Sequence, residues 1–260
     1  MRKLLMATLT FVLTTSAFAA SLTQTIDRTF DVKAGADVVL KNVNGRITVK
    51  AWDQPRVKVV AVKEVEASKS EVQKVLNELR VDMQPRDGGL VITTHYPKRN
   101  DGAESIFDWL LGNDVSAEVT YDLMVPRTMN VDVSNTNGSI RLSDVTGKHE
   151  LDTTNGKIEV TRCAGSLDAS TTNGSIHAEM TKVTKGQALR FETTNGRIEI
   201  AVPANLAADV DAGTTNGSIH TDLPIATSKT GRNSLRGSIN GGGTQIRMRT
   251  TNGGIEIRGL

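Results

Sequence analysis

The stretch Thr171-Thr172-Asn173-Gly174-Ser175-Ile176 is the clearest guide to the fold, because variants of it recur through the second half of the chain. Successive copies are 16 to 22 residues apart. A period of this size indicates an array in which each repeat is one supersecondary unit. The glycines of the copies are Gly138, Gly156, Gly174, Gly196, Gly217, Gly237 and Gly253.

Apolar residues occupy every second position around each copy, which is the period of a half-buried strand. Asparagine and glycine tolerate the positive φ angles that a sharp corner needs. Each repeat is therefore predicted to be a strand, an Asn-Gly corner and a second strand. Three residues after the asparagine come Ile140, Ile158, Ile176, Ile198, Ile219 and Ile255, and Ile239 fills this slot in the copy that lacks Thr-Asn.

Two all-β folds satisfy this pattern. In a β-solenoid, equivalent residues of successive coils stack on one another. In an antiparallel meander, each Asn-Gly is a hairpin turn. We favour a repetitive β-solenoid, because the same residue type recurs at the same slot and because the spacing varies only between an Ile-containing strand and the next repeat. The meander remains the alternative, since the inward positions share a face in both folds.

The N-terminal half contains one helix candidate, in which Ser70 and Gln73 have the spacing of a capping box. We expect three regions: a signal peptide at 1–20, an N-terminal β region with the short helix and an apolar loop at 21–126, and the repeat array, continuous with it, at 127–260. The last coil is expected to end the stack uncovered, guarded against edge pairing by arginines. The helix positions are Val72, Val75, Leu76 and Leu79, and the arginines are Arg247, Arg249 and Arg258.

The chain begins with Arg2 and Lys3, a short apolar run and small residues up to Ala20, which is typical of a secretory signal peptide. No later apolar run is long enough to span a membrane. Removing the signal reduces the 31 basic residues to 29, equal to the 29 acidic ones. A neutral mature chain argues against nucleic acid as a partner. We expect an exported protein whose single Cys163 is a buried substitute for valine.

With Asn44-Gly45-Arg46-Ile47-Thr48-Val49 upstream, Val125-Pro126-Arg127 at the end of a strand, and the Thr-Asn-Gly-x-Ile series, the chain resembles the bacterial "putative adhesin" family of domains of unknown function. The resemblance covers nearly all of the mature chain. It implies an all-β, solenoid-like fold and an envelope or surface setting. Together with the signal peptide, it leads us to expect a periplasmic or secreted bacterial protein. It implies no established activity and supplies no catalytic residues.

Three rows of outward residues are candidate sites. Four residues after each asparagine, His177, Glu199 and His220 would stack on adjacent coils and could share a metal, although a solvated charged face is the simpler interpretation. On the approach strand, acidic residues could serve as the carboxylates of a polysaccharide lyase, although a solvated surface explains them better. The threonines directly before each asparagine could present a polar strip to a glycan, although threonine is favoured in strands for its own sake. The acidic residues are Asp132, Asp152, Asp168, Glu192 and Asp211, and the threonines are Thr136, Thr154, Thr172, Thr194, Thr215 and Thr251.

A loop with Phe107, Trp109 and Leu110 interrupts the strand pattern. It is either a plug over the core or a contact for a partner. No cofactor motif is present, and with only 3% aromatic residues the chain lacks platforms for sugar stacking. We therefore expect an exported, non-catalytic β-solenoid that binds a glycan or an envelope protein through its outer faces, as an adhesin or envelope scaffold. A β-helix polysaccharide-active enzyme, lyase or hydrolase, is the alternative.

The stacked isoleucines generate the first prediction. A buried isoleucine contributes roughly 1.5–3 kcal/mol, and a carboxylate in its place is buried without a partner. Ile176→Asp should therefore abolish the cooperative thermal transition followed by circular dichroism, whereas Ser175→Asp, one residue away and outward, should retain it. An unchanged Tm for Ile176→Asp would disprove the stacked core.

Overall fold

The computed structural model describes residues 9–15, 20–97 and 115–260, and is almost entirely β. The described part of the first half contains one helix, α1. Its elements are β1 Leu9–Thr15, β2 Ala20–Asp31, β3 Asp37–Lys41, β4 Ile47–Trp52, β5 Arg56–Ala67, α1 Val72–Glu78, β6 Arg80–Arg86, β7 Gly89–His95, β8 Ser116–Pro126, β9 Asn130–Ser134 and β10 Ile140–Ser143.

The second half consists of strands and their connections, and β12 is the longest strand. Its elements are β11 Thr146–Asn155, β12 Ile158–Asn173, β13 Ile176–Lys182, β14 Ala188–Asn195, β15 Ile198–Val202, β16 Ala208–Asn216, β17 Ile219–Thr221, β18 Ile225–Gly231, β19 Ser234–Ile239, β20 Thr244–Asn252 and β21 Ile255–Gly259.

The strands form two rows joined by the Asn-Gly corners and by β12, whose two halves belong to different rows. We call a strand that leads into a corner an approach strand and the strand that leaves it an exit strand; the two together with their corner are a coil. Neighbouring coils pair in parallel register, with Ile158 beside Ile176 and Ile176 beside Ile198. The β-solenoid prediction is confirmed, and parallel pairing excludes the antiparallel meander for these coils.

The coils do not stack in chain order. The coil β3–β4 lies between β7–β8 and β9–β10. At the other end, the C-terminal coil β20–β21 lies between β14–β15 and β16–β17. The antiparallel hairpin β18–β19 then covers the free edge of β16. A coil near each end of the sequence is thus inserted between two others.

Two expectations about the array were wrong, each for its own reason. The last coil is not an uncovered end, because both of its strands are paired on both sides. Its arginines instead bond within the stack: Arg249 contacts Asp211 at 2.6 Å, and Arg258 contacts Glu199 at 3.0 Å. The Gly237 copy is not a corner, since it lies within the covering hairpin in antiparallel pairing.

One continuous core fills the space between the rows, and the isoleucine slots line it. Ile219, beside the hairpin end of the stack, is less buried than the others. Cys163 is buried next to the slot of Val145, as predicted, and burial raises the pKa of its thiol to about 11. The helix is confirmed and packs on β2 and β5. Its capping box is wrong: Glu71 is the N-cap without a side-chain cap, and the Ser68 hydroxyl bonds the Glu71 carboxylate.

Strand β1 falls inside the predicted signal peptide and pairs antiparallel with β2. Signal cleavage and the three-region division remain predictions.

Close approach of neighbouring coils, rather than a positive φ, explains most of the corner glycines. Gly138 does have a positive φ of 130°, but Gly174 does not. At Gly174, a Cβ atom would overlap the carbonyl oxygen of Gly156 on the next coil. The Gly174 amide also donates to Asn195 O at 3.1 Å. A side chain here would push the coils apart and break such bonds.

We therefore expect Gly174→Ala to lower the free energy of unfolding by at least about 1–3 kcal/mol, the usual cost of overpacking. Gly213→Ala is the matched control, because its Cβ would meet only Arg249 side-chain atoms, at 3.7 Å, without a left-handed φ. The control should be neutral or stabilising by about 0.4–1 kcal/mol through the unfolded state. Chemical denaturation measures both, and equal losses would refute the close-approach explanation.

Candidate functional site

The most regular outer feature is a row of asparagine side chains along the corners, which we call the Asn strip. Each asparagine Nδ2 donates to the Oδ1 of its neighbour at 2.8 Å. An amide offers two N–H donors and two acceptor lone pairs, so an interior rung keeps one donor and one acceptor for a ligand. The strip in spatial order is Asn137, Asn155, Asn173, Asn195, Asn252 and Asn216.

A second row, made of buried hydroxyls, lies on the inner side of the Asn strip and bonds each corner to its neighbour. The residue two before each asparagine of the strip is buried, and it is a threonine in every coil except that of Asn137, where it is Asn135. The Thr171 hydroxyl donates to Gly156 O at 3.1 Å, and the Thr193 hydroxyl donates to Gly174 O at 2.9 Å. The sequence prediction considered only the threonines that directly precede asparagine. Of these, Thr154, Thr172, Thr194, Thr215 and Thr251 are exposed, whereas Thr136 is partly buried.

The outer face of the approach strands carries an acidic block on β9, β11 and β12, consisting of Asp132, Glu150, Asp152 and Asp168. Glu150 lies beside Asp132 on one side and Asp168 on the other. Desolvation is the largest cause of a raised pKa at each of the three aspartates, and the charge of Glu150 adds to it. Glu150 was missed in the sequence, although it lies five residues before Asn155, the spacing of the predicted aspartates.

Asp211 does not join this block. Arg190 and Arg247 occupy its slot on the two coils between it and Asp168. Partial burial favours a higher pKa at Asp211, but hydrogen bonds from Arg249 and Arg236 outweigh it and lower the pKa. The structure therefore does not bring Asp132, Asp168 and Asp211 together as one set of carboxylates. We call Arg190, Arg247 and Arg249, on β14 and β20, the basic block.

The exit face is neutralised within itself by ion pairs. Arg141 and Lys157 contact Glu159 at 3.3 and 3.5 Å. Arg258 contacts both Glu199 and Glu256, at 3.0 and 2.8 Å. Because these charged groups are paired with one another, few of them are available to bind a charged ligand.

The same face holds the three residues considered for a metal. His177 Nδ1 lies 3.7 Å from Glu199 Oε2, as expected for adjacent coils. His220 does not lie next to Glu199, because Glu256 of the inserted C-terminal coil separates them. Within residues 9–15, 20–97 and 115–260, no three histidine, cysteine or acidic side chains are grouped to hold a metal ion.

An open groove of about 530 Å³ lies where exit strands end, and it includes no member of the acidic block. Its walls include Pro203, Ala204 and Leu260. Phe107, Trp109 and Leu110 lie outside the described residues. Among the described helices, none has the length and apolar character to cross a membrane.

The stack of coils with one polar corner edge defines a β-solenoid protein. The chain belongs to the Toastrack DUF4097 family, a domain of unknown function whose model matches residues 23–258. This agrees with the resemblance seen in the sequence. A comparison with curated proteins found no match.

Several solved structures are similar to the chain at low identity. One is described as "a putative cell adhesion protein" from Clostridium sporogenes, with 12% identity, a TM-score of 0.48, and coverage of 90% of this chain and 99% of that one. Another is "a putative adhesin" from Bacteroides fragilis, with 11% identity, a TM-score of 0.29 and coverage of 91% and 97%. A "putative lipid binding protein" from Parabacteroides distasonis has 12% identity, a TM-score of 0.31 and coverage of 90% and 96%.

Directly beneath the acidic block, His149 points into the core, between Lys148 and Glu150 on β11. It is 1% exposed, and its ring nitrogens make no hydrogen bond of good geometry with the described residues, since the backbone of Val145 and Ala164 offers them only weak partners. Desolvation lowers its pKa to about 4, so the folded state holds the neutral imidazole. An inward histidine was detectable in the sequence, because it lies two residues before the inward Leu151.

Because the folded pKa lies below the unfolded value of about 6.5, stability present above pH 6.5 is lost as the pH falls towards 4. His149→Leu should abolish this loss. Between pH 7 and 4 the wild type should therefore lose about 3 kcal/mol more of its free energy of unfolding than the variant does. The exposed His220→Leu is the control and should leave the profile unchanged. Parallel profiles for wild type and His149→Leu, from denaturant titrations across this range, would contradict the assignment.

Proposed function

We propose that this protein is exported and acts as a non-catalytic adhesin or cell-envelope scaffold that binds an uncharged glycan along its Asn strip. The signal-like residues 1–20 support export. The observation that carries the binding proposal is the continuous asparagine ladder with its unused donors and acceptors.

A repeating glycan matches this strip because both present hydroxyl-type or amide groups at regular intervals. Adjacent coils repeat about every 4.8 Å, and the exposed threonines flank the amides along the same edge. The strip is also pre-organised, since buried hydroxyls such as that of Thr193 fix each corner to the next. Little ordering entropy is then lost on binding. Many weak contacts along one chain of sugars would add up through effective concentration.

The self-neutralised exit face favours this choice of surface. Its carboxylates already accept from arginine and lysine, so a ligand there would displace existing ion pairs. The strip loses no such pair when an uncharged ligand binds.

The acidic block supports a second candidate, a polysaccharide-active enzyme. Glycoside hydrolysis uses one carboxyl group that stays protonated beside one that ionises, and the raised pKa of Asp132, Asp152 and Asp168 fits the first role. These aspartates lie on a strand face rather than in the groove described above. The binding role therefore ranks first.

The test uses the mature chain from Ser21 on immobilised envelope and host polysaccharides, with and without calcium. Retention is recorded together with low-mass products by mass spectrometry. We expect retention on an uncharged polysaccharide without products. Thr172→Val/Thr194→Val removes two exposed hydroxyls that flank the Asn strip, at constant shape. It should weaken binding by about tenfold, from roughly 0.5–1.5 kcal/mol per hydrogen bond.

The control Thr184→Val/Thr227→Val changes exposed threonines away from the strip and should bind as wild type does. Sugar products would replace the binding proposal with the enzymatic one and direct mutagenesis to Asp132 and Asp168. An absence of both retention and products would reject glycan as the ligand and leave an envelope protein as the partner to seek.

A further inference from the structure

The approach face separates its charges along the stack. The acidic block on β9, β11 and β12 is followed directly by the basic block on β14 and β20. The outward positions of β9, β11 and the approach half of β12 hold one basic residue, Lys148, because Arg162 lies earlier in β12 and pairs with Asp144 at 2.8 Å. The part of this face on β9, β11 and β12 is thus mainly negative, and the part on β14 and β20 carries three arginines against one acid, Glu192, which lies beside Arg249.

Each block places like charges on adjacent strands, which is unfavourable across a strand pair. Glu150 lies between Asp132 and Asp168, and Arg190 lies beside Arg247. Where the blocks meet, Arg190 Nη1 and Asp168 Oδ2 are 3.4 Å apart, with both side chains about half exposed. An ion pair so exposed offsets little of the repulsion within each block.

A second copy of the same face would offset the repulsion between like charges in both blocks. We propose that the protein forms a two-fold symmetric dimer through its approach face, with the acidic block of each protomer against the basic block of its partner. The axis runs parallel to the strands and passes between β12 and β14. Strand β12 then faces the partner's β14, and β11 faces the partner's β20.

The register of the rows determines the contacts in this arrangement. Glu150, Asp168, Arg190 and Arg247 occupy one row, and Asp152 and Arg249 occupy the row two residues further along the strands. Asp168 therefore faces Arg190 of the partner subunit, and Glu150 faces Arg247 of the partner subunit. Asp152 faces Arg249 of the partner subunit. Two-fold symmetry repeats each pair.

The other two-fold axis within the plane of the face, across the strands, is disfavoured by the same charges. It would place each strand against its own copy, so acid would meet acid. At the margin of the favoured dimer, Asp132 faces the partner's Asp211, whose charge is already offset by Arg236 at 3.0 Å and Arg249 at 2.6 Å.

This interface goes beyond the glycan proposal and does not depend on it. Because it is polar, we expect a modest affinity that falls with salt. An axis parallel to the strands keeps the strand direction in both protomers, so the two Asn strips emerge at the same end of the dimer.

The experiment measures the mass of the mature chain in solution by sedimentation at low and high salt. Wild type should be a dimer at low salt and dissociate at high salt. Glu150→Lys/Asp168→Lys makes the face basic, and Arg190→Glu/Arg247→Glu makes it acidic. Each variant alone should weaken dimerisation more than about tenfold, since facing like charges cost several kcal/mol. An equimolar mixture of the two should form a heterodimer.

Two controls keep the result specific. Arg141→Glu/Arg197→Glu makes the same charge change on the exit face and should remain dimeric. Thermal melting establishes that each variant is folded before its mass is interpreted. A monomeric wild type at low salt, an exit-face variant that dissociates equally, or a folded mixture that stays monomeric would each overturn the proposal.

Discussion

Close contact between the corners of neighbouring coils is the constraint on which the structure depends. The carbonyl of Gly156 occupies the space that a side chain on residue 174 would need. This closeness lets three sets of bonds form at one edge: buried threonine to glycine carbonyl, glycine amide to asparagine carbonyl, and asparagine to asparagine. These bonds fix the register of both rows. Residues that pair across neighbouring coils lie the same number of positions from their own corners.

A fixed register determines which charges become neighbours. On the exit face, Arg141 comes beside Glu159, and the result is a neutralised surface. On the approach face, Glu150 comes beside Asp168 and Arg190 beside Arg247, so charge accumulates in two blocks. The two faces thus differ in what they can bind, although the same corner organises both.

The corner edge and the approach face suit different partners. The row of asparagines along this edge is uncharged, hydrogen-bonded and periodic, which suits a long neutral ligand bound through many weak contacts. The approach face is charged with both signs, which suits a partner with the opposite arrangement. A second copy provides that arrangement by symmetry.

The sequence alone was enough to predict the coil. The alternation around each Asn-Gly corner predicted the strands, the isoleucine slots and the burial of Cys163, because a strand places every second residue on the same face. The same parity could have revealed His149, and the corner spacing could have revealed Glu150.

The order of the coils was decided only by the tertiary structure. Backbone bonds between coils do not depend on side-chain identity, so a repeated corner specifies the shape of a coil but not its neighbour. The insertion of β20–β21 between β14–β15 and β16–β17 therefore left no pattern in the sequence. That insertion separates His220 from Glu199, adds Arg247 to Arg190 between Asp168 and Asp211, and places Arg247 and Arg249 beside β14. The local sequence thus determined each coil, and the choice of pairing partner determined the surfaces.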